Sequence, residues 1–154
     1  MYTTYTRYIV YMKGTESIPG TRVHYDTVTD ARAHFSALLD AAEQGVPATV
    51  RRQKRRAAIL DADRLRHFLV SVHPARAEVV AEAGGWSVLL PELPIAADGQ
   101  TFDEALDEMV LALREYAEDW ADHLRHAPNH KQNWGLVQII DLSSDEQLRD
   151  WLQR

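Results

Sequence analysis

The longest amphipathic pattern in the chain covers residues 101–124. Apolar residues recur there at i, i+3, i+4 and i+7, and the positions between them carry mainly carboxylates. Thr101 and Glu104, three residues apart, have the spacing of a capping box. This pattern predicts a long helix that begins at Thr101 and packs against a sheet by one side.

Shorter patterns surround this helix. Gly84-Gly85 separates two strand-like segments, 78–83 and 86–90, and such a pair predicts a two-residue hairpin. Residues 96–100 are predicted to form a loop, and residues 136–142 a strand. Ser143 and Glu146 have capping-box spacing, which predicts a terminal helix.

The first half of the chain has its own helical pattern. Thr29 is the predicted N-cap and Gly45 the C-terminal stop of one helix of about four turns. Strand-like residues 47–50 and 57–60 flank the run Arg51-Arg52-Gln53-Lys54-Arg55-Arg56, which is expected to form the tip and shoulders of a hairpin. Asp61 or Asp63 is expected to cap a short helix after it. The apolar face of the first helix would comprise Ala31, Phe35, Leu38, Leu39 and Ala42.

These elements predict an α+β fold in two parts. His73-Pro74 interrupts helical geometry, because proline disfavours it in the preceding residue, so residues 71–76 are predicted to be a linker. Residues 25–70 would form a strand, helix, hairpin and helix, and residues 77–154 a small antiparallel sheet with one long amphipathic helix. Residues 1–24 are expected to be a poorly ordered extension or an edge strand.

Composition narrows the class of protein. The chain has 154 residues and no cysteine, which excludes disulfide frameworks, thiolate zinc sites and cysteine nucleophiles. It has neither a signal-peptide pattern nor an apolar run long enough to cross a bilayer, so a cytoplasmic location is expected.

The net charge of −6 conceals a division along the chain. Residues 51–66 contain seven cations and only two carboxylates, whereas residues 78–122 contain twelve carboxylates and the single cation Arg114. This asymmetry suggests one polyanionic and one basic partner. The alternative is that both are merely solvated faces.

Catalytic and metal chemistry find little support in the sequence. The paired carboxylates of the long helix lie on its solvated face, and no serine has a nucleophile motif. His123 and His126 are one helical turn apart, but His130 lies beyond Pro128, so a polar helix end is favoured over a metal site. No enzymatic activity, metal or cofactor is therefore predicted.

The basic hairpin is the best candidate site. Nucleic-acid binding needs cations on phosphates and a protruding element, and the predicted hairpin beside Arg32, placed in the first turn of the Thr29 helix, would provide both. Nearby aromatic residues for base stacking are absent, which favours a duplex over a single strand. The candidate DNA-binding residues are Arg32, Arg51, Arg52, Gln53, Lys54 and Arg55.

The first half of the chain resembles a known family. The run Thr29-Asp30-Ala31-Arg32-Ala33-His34-Phe35, the stop at Gly45 and the hairpin through Arg51-Arg52-Gln53 into Ala57-Ala58-Ile59-Leu60 are similar to the N-terminal domain of Phd/YefM-type antitoxins, over about residues 25–69. The resemblance implies a dimer that binds the operator of its own operon through Arg32 and Arg52, with Gln53 and Lys54 nearby. The family usually has a glycine in the turn, where this chain has Arg55 and Arg56.

The second half resembles another antitoxin domain. Gly84-Gly85-Trp86-Ser87-Val88, Leu90-Pro91-Glu92-Leu93-Pro94 and Gly99-Gln100-Thr101-Phe102-Asp103-Glu104-Ala105 are similar to the HicB type, over about residues 78–120. Typical Phd/YefM members instead end in an extended segment that wraps the toxin. The chain thus resembles a composite of a DNA-binding domain and a folded toxin-neutralising domain.

Together the resemblances imply a type II antitoxin that neutralises a ribonuclease toxin, RelE-like first or HicA-like second, and represses its own operon. A basic toxin would meet the acidic helix. The alternative is a stand-alone transcriptional regulator or a small-ligand-sensing DNA-binding protein. The candidate toxin-binding residues are Asp103, Glu104, Asp107, Glu108, Glu115 and Asp119.

Overall fold

The computed structural model describes residues 22–82 and 84–154. The chain divides into two compact units between Asp61 and Ala62, and each unit contains helices and one three-stranded sheet. The predicted α+β class is confirmed. The predicted N-terminal extension lies outside the described residues, except for its last three positions.

The first unit has a mixed sheet in the order β1-β2-β3. Its strands are β1 (Val23–Tyr25), β2 (Ala48–Arg52) and β3 (Arg55–Ile59). β1 and β2 run parallel, so the chain must cross over between them, and helices α1 (Val28–Ala33) and α2 (Phe35–Glu43) provide that connection. The buried side chains of this unit come from both helices and from β2, and they are Ala31, Leu38, Ala41 and Ala48.

The single helix predicted from Thr29 is wrong in two respects. Thr27, not Thr29, is the N-cap, since its hydroxyl accepts a hydrogen bond from Asp30 N at 3.0 Å. The helix is also interrupted at His34, which has a φ of −123°. His34 Nδ1 lies 2.9 Å from the Asp30 carbonyl oxygen, and its ring stacks on Tyr25. These contacts hold His34 outside helical geometry, and residue spacing alone does not reveal them.

The second unit begins with helix α3 (Ala62–Val72) and continues into an antiparallel sheet. The strands of this sheet, in spatial order, are β4 (Glu78–Glu82), β5 (Gly85–Leu90) and β6 (Ile95–Gly99). The long helix α4 (Phe102–Asp122) comes next and is followed by a short 3-10 helix (Leu124–His126). The last two helices are α5 (Trp134–Asp141) and α6 (Asp145–Leu152).

Helix α4 lies on one face of the sheet, across β5 and β6. Leu106, Met109 and Leu113 line its buried side. The helix approaches Gly99 so closely that a Cβ there would lie 2.3 Å from Ala105 N. Only glycine fits this position, because any side chain would meet the backbone of the helix.

Helix α3 belongs to the second unit, where Leu69 is buried in the core. Trp151 of α6 donates its indole N–H to the His73 carbonyl oxygen at 2.9 Å. The division at residue 61 therefore precedes the linker predicted at residues 71–76. His73-Pro74 does end a helix, as expected, but this bend packs within the second unit instead of separating two domains.

Two predictions about secondary structure in the second unit are wrong. Residues 136–142 lie largely in helix α5, where Val137, Ile139 and Ile140 are buried, not in a strand. A short apolar run does not distinguish a buried strand from a buried helix. Residues 96–100, predicted as a loop, lie mostly in β6, because pairing with β5 provides backbone hydrogen bonds that the local composition does not indicate.

The predicted caps are confirmed in part. Thr101 caps α4 through Glu104 N at 3.2 Å, but the Glu104 carboxylate accepts from Gln100 N and not from Thr101 N. The capping box predicted at Ser143 and Glu146 is shifted by one residue, to Ser144 and Gln147.

Arg114, the single cation among the twelve carboxylates of residues 78–122, connects three helices. Its guanidinium group on α4 donates to the carbonyl oxygens of Ile140 and Ser143, at 2.5 and 2.7 Å, and to Asp145 at 2.7 Å. The first two contacts satisfy carbonyl groups in the last turn of α5 and just beyond its end, and the third contacts the first turn of α6. Arg114 thus orients both C-terminal helices against α4.

Candidate functional site

The basic hairpin places four arginines as two cross-strand pairs. Arg51 lies opposite Arg56, and Arg52 lies opposite Arg55. All four side chains are exposed. Because directly paired residues share a face and successive residues alternate, one pair lies on each face of the hairpin. The hairpin therefore presents positive charge on both sides.

This arrangement is unfavourable for an isolated hairpin, because like charges placed directly opposite each other are destabilising. Within the described residues, Arg52, Lys54 and Arg55 form no ion pair. Arg51 is the exception, since its Nε lies 3.6 Å from Asp26 Oδ1. A polyanion between these cations would relieve the repulsion.

The tip itself consists of Gln53 and Lys54. Gln53 has a φ of 55°, in the left-handed region that non-glycine residues seldom occupy. This explains how the chain turns without the glycine that hairpin turns commonly use. The arginines lie within the strands, so the tip is shorter than the six-residue basic run suggested.

The structure places Arg32 differently from the sequence prediction. Because the helix starts after Thr27, Arg32 is in the last turn of α1 and not in the first. The side chain is exposed, and α1 packs against β1 and β2. Arg32 is thus in the same unit as the hairpin, but it does not belong to a helix N-terminus.

The six candidate carboxylates of α4 are all exposed, but two of them are already paired. Arg149 of α6 contacts Asp103 at 2.8 Å and forms a second, shorter contact with Asp107. The hydrogen bond that Arg149 donates to the Asp107 carboxylate is the main cause that raises the pKa of Arg149 above its usual value. The Glu104 carboxylate accepts a hydrogen bond from Gln100 N at the start of the helix.

The remaining candidates are Glu108, Glu115 and Asp119, which are exposed and form no ion pair within the described part of the chain. Leu111 lies among them and is 56% exposed. The exposure of Leu111 is a feature that only the structure reveals. Its position outside the i, i+3, i+4 apolar pattern, on the acidic side of the helix, is the signal in the sequence that could have indicated it.

His130, one of the three histidines considered as metal ligands, has structural contacts. His130 Nδ1 lies 3.1 Å from the Tyr116 hydroxyl oxygen, and that oxygen accepts a hydrogen bond from Asn133 Nδ2 at 2.7 Å. Among the described residues, no three histidine or carboxylate side chains are grouped as metal ligands. In the same residues, no helix is long and apolar enough to span a membrane.

Comparison with known proteins gives a family. A family model described as PHD-like, antitoxin of toxin-antitoxin, RelE/RelB, TA system, matches residues 23–153. No curated protein matches the chain. A solved structure from Syntrophomonas wolfei subsp. wolfei, described as the antitoxin part of a proposed toxin/antitoxin system, is similar with a TM-score of 0.71 at 20% identity. The match covers 82% of this chain and 94% of that one.

The structural likeness concerns the fold, while the family match extends over both units described above. A match from residue 23 to residue 153 includes the basic hairpin and the acidic helix alike. On this basis the chain belongs to the PHD-like family of antitoxins of RelE/RelB-type toxin–antitoxin systems.

Proposed function

We propose that this antitoxin neutralises a cognate ribonuclease toxin and represses its own operon by binding operator DNA. A RelE-like toxin is the first choice, in keeping with the family description, and a HicA-like toxin is the second. The observation that supports the DNA-binding part is the paired arrangement of arginines on both faces of the hairpin.

Operator binding would use the hairpin as a protruding cationic element. Arg52 and Arg55 on one face, and Arg51 and Arg56 on the other, would contact phosphates, while Gln53 at the tip would be placed to reach a base edge. Lys54 and Arg32 would add further phosphate contacts. The family resemblance adds a dimer, which would present two such hairpins to a two-fold symmetric operator.

Toxin binding would use the exposed surface of α4. A ribonuclease needs a basic surface for its RNA substrate, and the free carboxylates of Glu108, Glu115 and Asp119 complement it. Leu111 would contribute an apolar contact at the centre of this surface. Asp103 and Asp107 would contribute less, because Arg149 already offsets their charge.

The toxin assignment can be tested by co-expression. The gene next to the antitoxin gene is expressed alone and together with the antitoxin, and growth of the cells and co-purification of the two proteins are measured. Growth arrest by the neighbouring protein, reversed by the antitoxin in a stable complex, is the expected result. A neighbouring protein that neither arrests growth nor binds would contradict the proposal.

Operator binding is tested with the duplex upstream of the gene. The affinity should fall steeply with salt, because phosphate contacts release counterions. Arg52→Ala should weaken binding and reduce the salt slope by about 0.9 for each phosphate that is no longer neutralised. Arg125→Ala, which removes an exposed cation in the second unit, is the matched control. Equal affinity of Arg52→Ala and the parent chain across salt would refute the assignment.

The alternative is a DNA-binding regulator that senses a small ligand. A cavity of about 270 Å³ in the second unit favours it, with Leu93 and Trp151 as apolar walls and Arg76, Gln132 and Asn133 as polar groups. Under this alternative, a metabolite would change operator affinity and no neighbouring toxin would be found. The antitoxin proposal is preferred, because the family match covers both units.

A further inference from the structure

Strand β4 is the uncovered edge of the second sheet. The strand order is β4-β5-β6, and α4 packs across β5 and β6. All five residues of β4 are exposed, and Val79 and Val80 are each 42% exposed although they point to opposite faces. An edge strand with apolar residues on both faces is a template for pairing with another strand.

The hydrogen-bonding groups of the free edge follow from the register. Glu82 pairs with Gly85 at the end of the hairpin, Val80 with Ser87, and Glu78 with Leu89. The pair that closes a two-residue hairpin is a hydrogen-bonded one, and such pairs alternate with non-bonded ones. The N–H and C=O groups of Val79 and Ala81 therefore point away from β5.

The usual protection of an edge strand is weak here. Natural edges commonly carry lysine, proline or a bulge. β4 has none of these residues, and its five-residue register with β5 is continuous. Its charged residues are Glu78 and Glu82, which lie on the face of the sheet opposite α4, together with Asp98 of β6.

The charge selects the kind of strand that could pair with this edge. None of the three strands contains a lysine or an arginine. In the full-length antiparallel register of two copies, centred on Val80, Glu78 of one copy would lie opposite Glu82 of the other. Like charges in that position are destabilising, whereas cations are favourable. A second copy is therefore disfavoured and a basic strand is favoured.

We propose that β4 binds an extended basic segment of the cognate toxin, which adds to the sheet as a fourth strand with its cations beside Glu78 and Glu82. This inference rests on the proposed neutralisation of a toxin. It names a mode of binding, strand addition through main-chain hydrogen bonds, that is separate from the acidic surface of α4.

The test uses the full-length antitoxin and the toxin identified by co-expression. Amide hydrogen exchange of residues 78–82 is measured with and without the toxin, and the dissociation constant is measured for three variants. Glu78→Lys/Glu82→Lys should weaken binding at least tenfold. Ala81→Pro removes one outward N–H and should have an effect of similar size. Asp141→Lys/Asp150→Lys, at exposed positions on α5 and α6, changes the net charge by the same amount as the test variant and should change affinity less than twofold.

Slower exchange in β4 upon toxin binding, together with weaker binding by the charge variant, supports strand addition. Tight binding by the charge variant with unchanged exchange in β4 overturns it and leaves the neutralising function intact. If the parent chain binds no toxin, the proposed function itself fails. Protection of β4 that rises with antitoxin concentration alone would assign the edge to self-association and would also overturn the inference. Circular dichroism and thermal unfolding of Ala81→Pro show whether that variant is folded, and the charge variant decides the result if it is not.

Discussion

The guanidinium group of Arg149 lies 2.8 Å from Asp103, across the contact between the last helix and the long one. The same group contacts Asp107, so one cation serves two carboxylates that are one helical turn apart. In the sequence, nothing distinguishes the role of these two carboxylates from that of Glu108 and Glu115 on the same helix. The structure separates them into a pair that holds α6 and a pair that faces solvent.

This difference predicts distinct effects of removing charge. Asp103→Asn/Asp107→Asn should lower the thermal midpoint by a few degrees, because the ion pairs with Arg149 are lost. It should leave toxin affinity nearly unchanged, because Arg149 already offsets the charge of these two carboxylates. Glu108→Gln/Glu115→Gln should leave the midpoint unchanged and weaken toxin binding, more at low salt than at high salt. Calorimetry and titration with toxin at two salt concentrations measure both effects. The reverse assignment of stability and affinity would contradict the division.

Arg114 should be a larger contributor to stability than Arg149. Its side chain satisfies the Ile140 and Ser143 carbonyl groups and pairs with Asp145, and it is partly buried. Arg114→Ala should lower the free energy of unfolding by about 2–3 kcal/mol, since charged hydrogen bonds are removed and the Ser143 carbonyl group loses its donor, while the Ile140 carbonyl group keeps the Ser143 N–H. Arg114→Lys should recover only part, because an ammonium group cannot reproduce the planar fork. Urea unfolding, with Lys131→Ala as an exposed control, provides the comparison.

Gly99→Ala should be severely destabilising. Its Cβ would lie 2.3 Å from Ala105 N, and a backbone atom cannot move without displacing the helix. The expected loss is about 3 kcal/mol or more, at the upper end of overpacking effects. Ala96→Ser, on the exposed face of the same strand, should cost little. A well-folded Gly99→Ala variant with unchanged stability would show that α4 does not lie this close to β6.

The sequence predicted the elements that depend on local chemistry. Gly45, with a φ of 74°, ends α2 as expected, and Thr101 caps α4 as expected. The long helix and the basic hairpin also follow from residue pattern, and the hairpin of β4 and β5 from its turn glycine, Gly84. The α+β class is the sum of these local signals.

What the sequence missed depends on contacts distant along the chain. The break at His34 depends on its contacts with Tyr25 and with the Asp30 carbonyl group. Helix α5 is apolar on most sides because it packs against both α3 and α4, so its residues lack a clear period. The pairing of Asp103 with Arg149, 46 residues away, is likewise not visible in either segment alone.

The sequence predicted a basic hairpin as the candidate site, but it did not predict which arginines lie opposite each other. Counting charges identified the basic run, whereas the opposition of Arg52 and Arg55 depends on the register of the strands. Arg32 was placed in a first turn because Thr29 was taken as the cap. The hydroxyl of Thr27, two residues earlier, determines where the helix begins.

The opposition of Arg52 and Arg55 predicts opposite effects on stability and on DNA binding. Arg55→Thr removes a like-charge pair and introduces a β-branched residue, so it should stabilise the protein by about 0.5 kcal/mol. The same change should weaken operator binding and flatten its salt dependence. Lys54→Ser, at the turn, should weaken binding without the gain in stability. If Arg55→Thr binds operator as tightly as the parent chain, the hairpin face with Arg52 and Arg55 is not the contact surface.

The exposed apolar residues of the first unit predict where the proposed dimer forms. Phe35 and Leu39 were expected on the buried face of one helix, but they are 53% and 43% exposed, one turn apart on α2. Phe35→Glu/Leu39→Glu should therefore convert the proposed dimer to a monomer, because two apolar side chains of the proposed interface would be replaced by charges. Light scattering after size-exclusion chromatography measures the mass, and Glu43→Gln/Asp40→Asn on the same helix is the control. The monomer should keep its thermal unfolding transition but lose operator affinity, since each copy would present only one hairpin. A variant that stays dimeric would place the interface elsewhere in the chain.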